Sequence, residues 1–241
     1  MSSTTTQRRR LAVLGGSAGI GLAVARRMAA AGAEVTLGGR DRQRLDDACG
    51  LLDAAAGIVV DAEDPSSLGA FFADAGPIDD LVITVTRRGG AGPVGALAET
   101  DLVGAFAGKP VAHLRAIALA LPTLSEHGSI TLVTAGSAQS AFPGTVGLAA
   151  VNGALEAAIG PLAVELAPRR VNAVSPGVIE TDWWSAMPDD DRAATLATFA
   201  ARAPVGRNGA ADDVAGAIAA LIDNTFITGV VLPCDGGLRL T

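Results

Sequence analysis

Three glycines and an arginine hold the clearest chemistry in the chain. In Leu11-Ala-Val-Leu-Gly-Gly-Ser-Ala-Gly-Ile-Gly21 a short apolar run meets Gly15, Gly19 and Gly21, and a helical pattern opens there. Glycines permit a tight turn and let backbone N–H groups approach a pyrophosphate at the helix N-terminus. Between a strand and a helix this makes Gly15, Ser17, Gly19, Ile20 and Gly21 candidate dinucleotide-binding residues. An NAD site usually places a carboxylate about 20 residues further on, against the ribose 2′-hydroxyl. Here the second apolar run ends Thr36-Leu37-Gly38-Gly39-Arg40, with no acid. Arg40 there can grip a 2′-phosphate through a charge-assisted fork, or be a solvated arginine at a helix start. Two counts add to this. The chain has no tyrosine, and its one lysine, Lys109, stands against seventeen arginines.

The elements that must position these residues alternate. Apolar runs at Leu11–Leu14, Glu34–Leu37, Ile58–Val60, Leu81–Val85, Ser129–Thr134, Arg170–Val174 and Gly229–Leu232 read as strands. Helical patterns lie between them: Ala18–Ala31, Asp41–Leu52 with Asp41 as N-cap, Pro65–Ala75, Phe106–Glu126, Thr145–Ala167, Asp189–Arg202 and Asp212–Ile222. This βαβα order calls for an α/β fold, a single doubly wound Rossmann domain over residues 10–241 with a parallel sheet of about seven strands. Residues 1–9 read as a flexible tail. The length of 241 residues suits one domain.

The net charge of −7 argues against nucleic acid as a partner. Cys49 and Cys234 form no metal or redox motif. No uninterrupted apolar run reads as a membrane span, and Leu11–Leu14 is too short for a secretory core. The expectation is a cytoplasmic protein acting on a small molecule, without metal, nucleic acid or membrane.

Three separated motifs make the chain resemble the short-chain dehydrogenase/reductase superfamily over residues 8–240. Leu14–Gly21 is similar to the family's Thr-Gly-x-x-x-Gly-x-Gly turn, with leucine for threonine. Arg170-Val-Asn-Ala-Val-Ser-Pro-Gly177 is similar to its Arg-Val-Asn-x-x-x-Pro-Gly stretch. Ile227–Gly237 is similar to its last strand and Asp-Gly-Gly ending. The resemblance implies NADP(H) from Arg40. It also implies cofactor contacts at Asp61, which would meet the adenine or cap the helix at Pro65, and at Pro176, Gly177 and Thr181. It further implies a homodimer or homotetramer paired through the two long helices.

The family's catalytic positions are occupied differently. Aligned on flanking residues, the catalytic serine falls on Ala135, beside Thr134. The tyrosine falls on Leu148, the lysine on Asn152 and the asparagine on Lys109. With no tyrosine in the chain, phenol proton transfer is excluded. The asparagine and lysine look exchanged, so Lys109, Thr134 and Asn152 are the candidate catalytic residues. Pro110 disfavours helical geometry at Lys109 and would break the helix there, aiming the ammonium inward. His113, four residues on, shares that face or is a satisfied core histidine. Thr134, Ser137 or Ser140 would donate to a substrate oxygen, or serve as ordinary loop hydroxyls. Arg87 and Arg88 would hold an anion or be solvated. Trp183 and Trp184 would cover an apolar substrate or pack a lid. Three functions stay open: an atypical NADP(H) oxidoreductase, a non-catalytic dinucleotide sensor or partner subunit, and a non-redox isomerase or cyclase.

Overall fold

The computed structural model describes residues 8–241. Seven parallel strands form one sheet in the order β3-β2-β1-β4-β5-β6-β9: β1 (Arg10–Leu14), β2 (Glu34–Gly39), β3 (Ala55–Val59), β4 (Ile78–Ile83), β5 (Leu124–Val133), β6 (Arg170–Pro176) and β9 (Val231–Cys234). A two-stranded pair, β7 (Ile179–Glu180) and β8 (Gly209–Ala210), stands apart. The strand order reverses between β1 and β4, and in such sheets ligands bind outside the carboxyl ends at that point.

Alternation along the strands builds two cores. Leu11, Val13, Leu37 and Val82 face helices α1 (Gly19–Ala30), α2 (Arg42–Cys49) and α8 (Ala211–Asp223), meeting Met28, Leu45 and Ile218. Ala12, Leu14, Leu81 and Ile83 face α3 (Pro65–Ala75), α5 (Ala112–Ala120) and α6 (Val146–Glu165), meeting Phe71, Ile117 and Leu155. Both faces are covered, so the strands read as near-continuous apolar runs.

Polar groups pin the amino-terminal and far edges. Asp80, fully buried on β4, accepts from Ser129 and from Arg9. Its carboxyl is pushed up by burial, against these donors. Residues 1–7 of the expected tail lie outside the described residues. Arg9 does not behave as tail, since it also pairs with Asp223 and reaches the carbonyl of Ile222. The Arg170-Val-Asn stretch has a structural task. Arg170 donates to the carbonyls of Leu221, Ile222, Asn224 and Ile227, satisfying the carboxyl end of α8, and Asn172 bonds both Ile227 and Val230.

Two helix expectations are corrected. The helix read as Phe106–Glu126 begins earlier, with α4 (Glu99–Phe106), and ends at Ala120, because β5 already starts at Leu124. Pro110 does not break it. The chain passes from α4 to α5 through one π-turn, Ala107–Val111, which absorbs a residue that has no N–H to donate. The combined helix Glu99–Ala120 and α6 are each long and apolar enough to cross a membrane by length and composition alone. One face of each, with Ala116 and Ile117 on the first and Leu155 and Ile159 on α6, lies in the core against the sheet. Helix α7 spans Asp189–Arg202, as expected.

Candidate active site

The glycine turn leaves β1 and enters α1 with no side-chain cap on Ala18, so the first N–H groups of α1 stay bare. Gly15 holds φ +87°, a conformation that side chains rarely adopt. Gly21 is a glycine for a different reason. A Cβ there would lie 2.2 Å from the Gly15 carbonyl oxygen, so only glycine lets α1 close onto the turn. Ile20 packs into the first core. Ser17 abuts the end of β2, where a Cβ on Gly39 would sit 3.2 Å from its Oγ. Arg40 follows, exposed and without an ion-pair partner among the described residues.

Asp61 does not cap α3. Asp64 does, accepting from the Ser66 N–H, while Asp61 accepts from the Glu63 N–H and stays exposed beside β3. Thr84, just beyond β4, lies within hydrogen-bond reach of the Leu14 and Gly15 carbonyls, 3.1 Å from each. It also lines the neighbouring cavity. This stitch between turn and cavity has no separate signature in the sequence.

That cavity, about 270 Å³, opens at the carboxyl ends of β4, β5 and β6. Its wall is mostly apolar, with Leu148, Phe142, Phe199 and Trp184. Lys109, Thr134, Asn152, Pro176, Gly177 and Thr181 all line it, so six of the expected site residues converge. Gly15, Ser17, Gly19, Ile20, Gly21, Arg40 and Asp61 lie outside it, along the ends of β1, β2 and β3. The two sets meet where a Cβ on Gly19 would stand 3.6 Å from Thr181.

Lys109 is buried, 7% exposed, and donates to the Thr134 carbonyl at 3.2 Å. Burial lowers its pKa to about 8, with Glu156 pulling the other way. The expectation for Thr134 changes accordingly. Its hydroxyl is committed to Glu156 at 2.9 Å, so Thr134 serves the site through its carbonyl. Ser140 is likewise turned inward, onto the Gly136 carbonyl. Ser137 accepts from Asn152 and has no acceptor for its own proton among the described residues. Of these three hydroxyls it alone is free to donate.

Asn152 donates to the Leu148 carbonyl and Ser137, and its buried Oδ1 has no partner among the described residues. Glu156, one turn on, was not anticipated. It accepts from Thr134, Ser175 and Gln139, tying β5, β6 and the following loop to α6. A carboxylate four residues after Asn152 on one helical face was the available signal. His113 is a core histidine. Its Nε2 lies 2.8 Å from the Val85 carbonyl, and burial and then Lys109 depress its pKa to about 3. The ring is therefore neutral, with Nε2–H donating to that carbonyl and Nδ1 without a partner among the described residues.

Arg87 and Arg88 are taken by protein partners. Arg87 pairs with Glu63 at 3.1 Å. Arg88 donates to the carbonyls of Asp182 and Trp183 and stacks on the Trp183 ring. With the Arg44–Asp182 ion pair, this ties down the segment after Thr181. Trp184 donates to the Ile179 carbonyl, and both tryptophans line the cavity.

A family model described as enoyl-(acyl carrier protein) reductase matches residues 15–239. The chain is 35% identical over 243 residues to cis-4-hydroxycyclohexanecarboxylate dehydrogenase of Sinomonas cyclohexanicum, covering 93% of this chain and 94% of that one. It is 31% identical over 246 residues to 3-oxoacyl-[acyl-carrier-protein] reductase FabG of Escherichia coli (strain K12), covering 95% and 96%. Among solved structures, a small-chain dehydrogenase in complex with NADPH superposes with a TM-score of 0.84 at 31% identity, over 98% of this chain and 100% of that one. The chain belongs to the short-chain dehydrogenase/reductase family.

Proposed function

We propose that this chain is an NADP(H)-dependent oxidoreductase, atypical for its family, that interconverts a small carbonyl compound and its alcohol with Lys109 as the proton-bearing group. One observation carries the reading: the chain's single lysine is buried and lines the cavity beside Thr134 and Asn152. Alanine, leucine and asparagine stand where the family resemblance places serine, tyrosine and lysine, at Ala135, Leu148 and Asn152, and all three line that cavity.

The residues present fit a dinucleotide. The Gly15–Gly21 turn and the uncapped α1 offer N–H donors to a pyrophosphate, and Gly21 keeps the approach open. Arg40, exposed and without an ion-pair partner among the described residues, would take the 2′-phosphate, and the related structure that holds NADPH supports that choice. Asp61 would face the adenine end, and Pro176, Gly177 and Thr181 the cavity end. When bound there, NADPH would supply the hydride for a carbonyl carbon. Lys109 Nζ holds the proton that the substrate oxygen takes, Ser137 donates a hydrogen bond to that oxygen, and the apolar wall excludes water. The apolar lining favours an alicyclic or aromatic carbonyl compound. The same family membership supports a homodimer or homotetramer through the long helices, where Val103, Val111, Leu114, Val146 and Val164 are exposed.

A titration tests the cofactor. NADPH is expected to bind about 10–100-fold more tightly than NADH, from a phosphate contact worth roughly 1.5–3 kcal/mol, and Arg40→Ala is expected to remove most of that margin. Equal affinities in the parent protein would overturn it.

A further inference from the structure

The amine of Lys109 has an unusual setting for a lysine. It is buried, it lines an apolar cavity, and among the described residues its one hydrogen bond runs to a carbonyl, that of Thr134. No carboxylate lies within ion-pair distance among the described residues. The charged groups around it are otherwise engaged. Glu156 from α6 accepts from Thr134, Ser175 and Gln139. Arg87, on the loop after β4, pairs with Glu63, and Asp235, after β9, pairs with Arg239. His113 on the same helix is neutral and fixed on Val85. A lysine desolvated in an apolar pocket is a carbonyl-directed nucleophile.

We infer that Lys109 is a covalent carbonyl-capture site, forming a Schiff base with an apolar aldehyde or ketone seated against Leu148, Phe142 and Trp184. The free amine attacks the carbonyl carbon, forming the C–N bond as the C=O π bond opens, and one amine proton passes to the oxygen. The carbinolamine then loses its oxygen as water, which takes both amine protons and leaves a C=N bond. The step is redox-neutral and needs no co-reactant. It goes beyond the proton-donor role and does not depend on bound dinucleotide. The depressed pKa of about 8 supports it, since it leaves an appreciable fraction of the amine unprotonated at neutral pH.

With one lysine in the chain, only Lys109 and the chain's α-amino group can react, so the test is unambiguous. The folded protein is treated with benzaldehyde and sodium cyanoborohydride at pH 7.5, and adducts are located by peptide mass spectrometry. The same treatment in guanidinium chloride gives the reference rate for an ordinary lysine. The expected result is an adduct on Lys109 that forms roughly two-hundredfold faster in the folded than in the unfolded chain, as the ratio of free-base fractions at that pH for pKa values of about 8 and 10.5 requires. Labelling should rise with pH through about 8. Labelling confined to the α-amino group, or Lys109 reacting no faster folded than unfolded, would overturn the inference. Either failure leaves the proton-donor reading standing, since that reading needs only the ammonium.

Discussion

Lys109→Met is expected to make the protein more stable at pH 7, by about 3 kcal/mol. The folded chain holds the lysine near pKa 8, whereas in the unfolded chain it sits near 10.5. Below pH 8 both states carry the ammonium, and the folded state bears the full burial cost. Between pH 8 and 10.5 the folded chain releases a proton that the unfolded chain keeps, so the parent gains stability as pH rises. Methionine has a similar length and no charge, so the variant should lack that rise. The difference between denaturant-unfolding curves of the two proteins should shrink from pH 7 towards pH 10. A variant less stable than its parent at pH 7 would show that the ammonium is well satisfied where it lies. Retaining a buried charge that weakens the fold is the usual mark of a residue held for function.

Gly21→Ala is expected to weaken NADPH binding at least a hundredfold and to destabilise the fold by about 1–3 kcal/mol. The added Cβ would lie 2.2 Å from the Gly15 oxygen, 2.8 Å from its carbonyl carbon and 2.9 Å from Thr84 Oγ1. Two of those three atoms are backbone, so α1 must move away from the turn. Gly69→Ala serves as the control. It lies inside α3 with open space around it, and should stabilise by about 0.5–1 kcal/mol from helix propensity alone. Isothermal titration and thermal unfolding read both effects. NADPH affinity unchanged in Gly21→Ala would remove the turn from the binding site.

Much of the fold was legible because its strands are buried on both faces. Runs such as Leu11–Leu14 and Leu81–Ile83 are then unbroken by polar residues, and Asp41 and Pro65 mark helix starts by local chemistry. Boundaries failed where local and tertiary signals disagree. Leu124-Ser-Glu-His-Gly128 has polar residues and a glycine that read as a helix end, yet pairing of Leu124 with Ile78 on β4 draws the segment into the sheet. Pro110 reads as a helix break from its own geometry, yet it lies buried with Gly108 and Lys109 inside the π-turn that joins α4 to α5.

The convergence of Lys109 and Asn152 followed from family resemblance. The hydrogen-bond assignments did not. Nothing local distinguishes Thr134, whose hydroxyl turns to Glu156, from Ser137, whose hydroxyl proton stays free. Arg87 and Arg88 were equally opaque, because Glu63 and the Asp182–Trp183 carbonyls that occupy them come from distant parts of the chain.

The most direct test of Lys109 as the proton-bearing group is NADPH oxidation with a panel of alicyclic and aromatic ketones and aldehydes, parent against Lys109→Met, with NADPH affinity measured alongside. Turnover by the parent is expected to fall off above pH 8 as the ammonium is lost, and the variant is expected to lose about 10²–10⁴ in kcat with NADPH binding retained. Turnover equally brisk in the variant, or no turnover by the parent on any of these compounds, would contradict it.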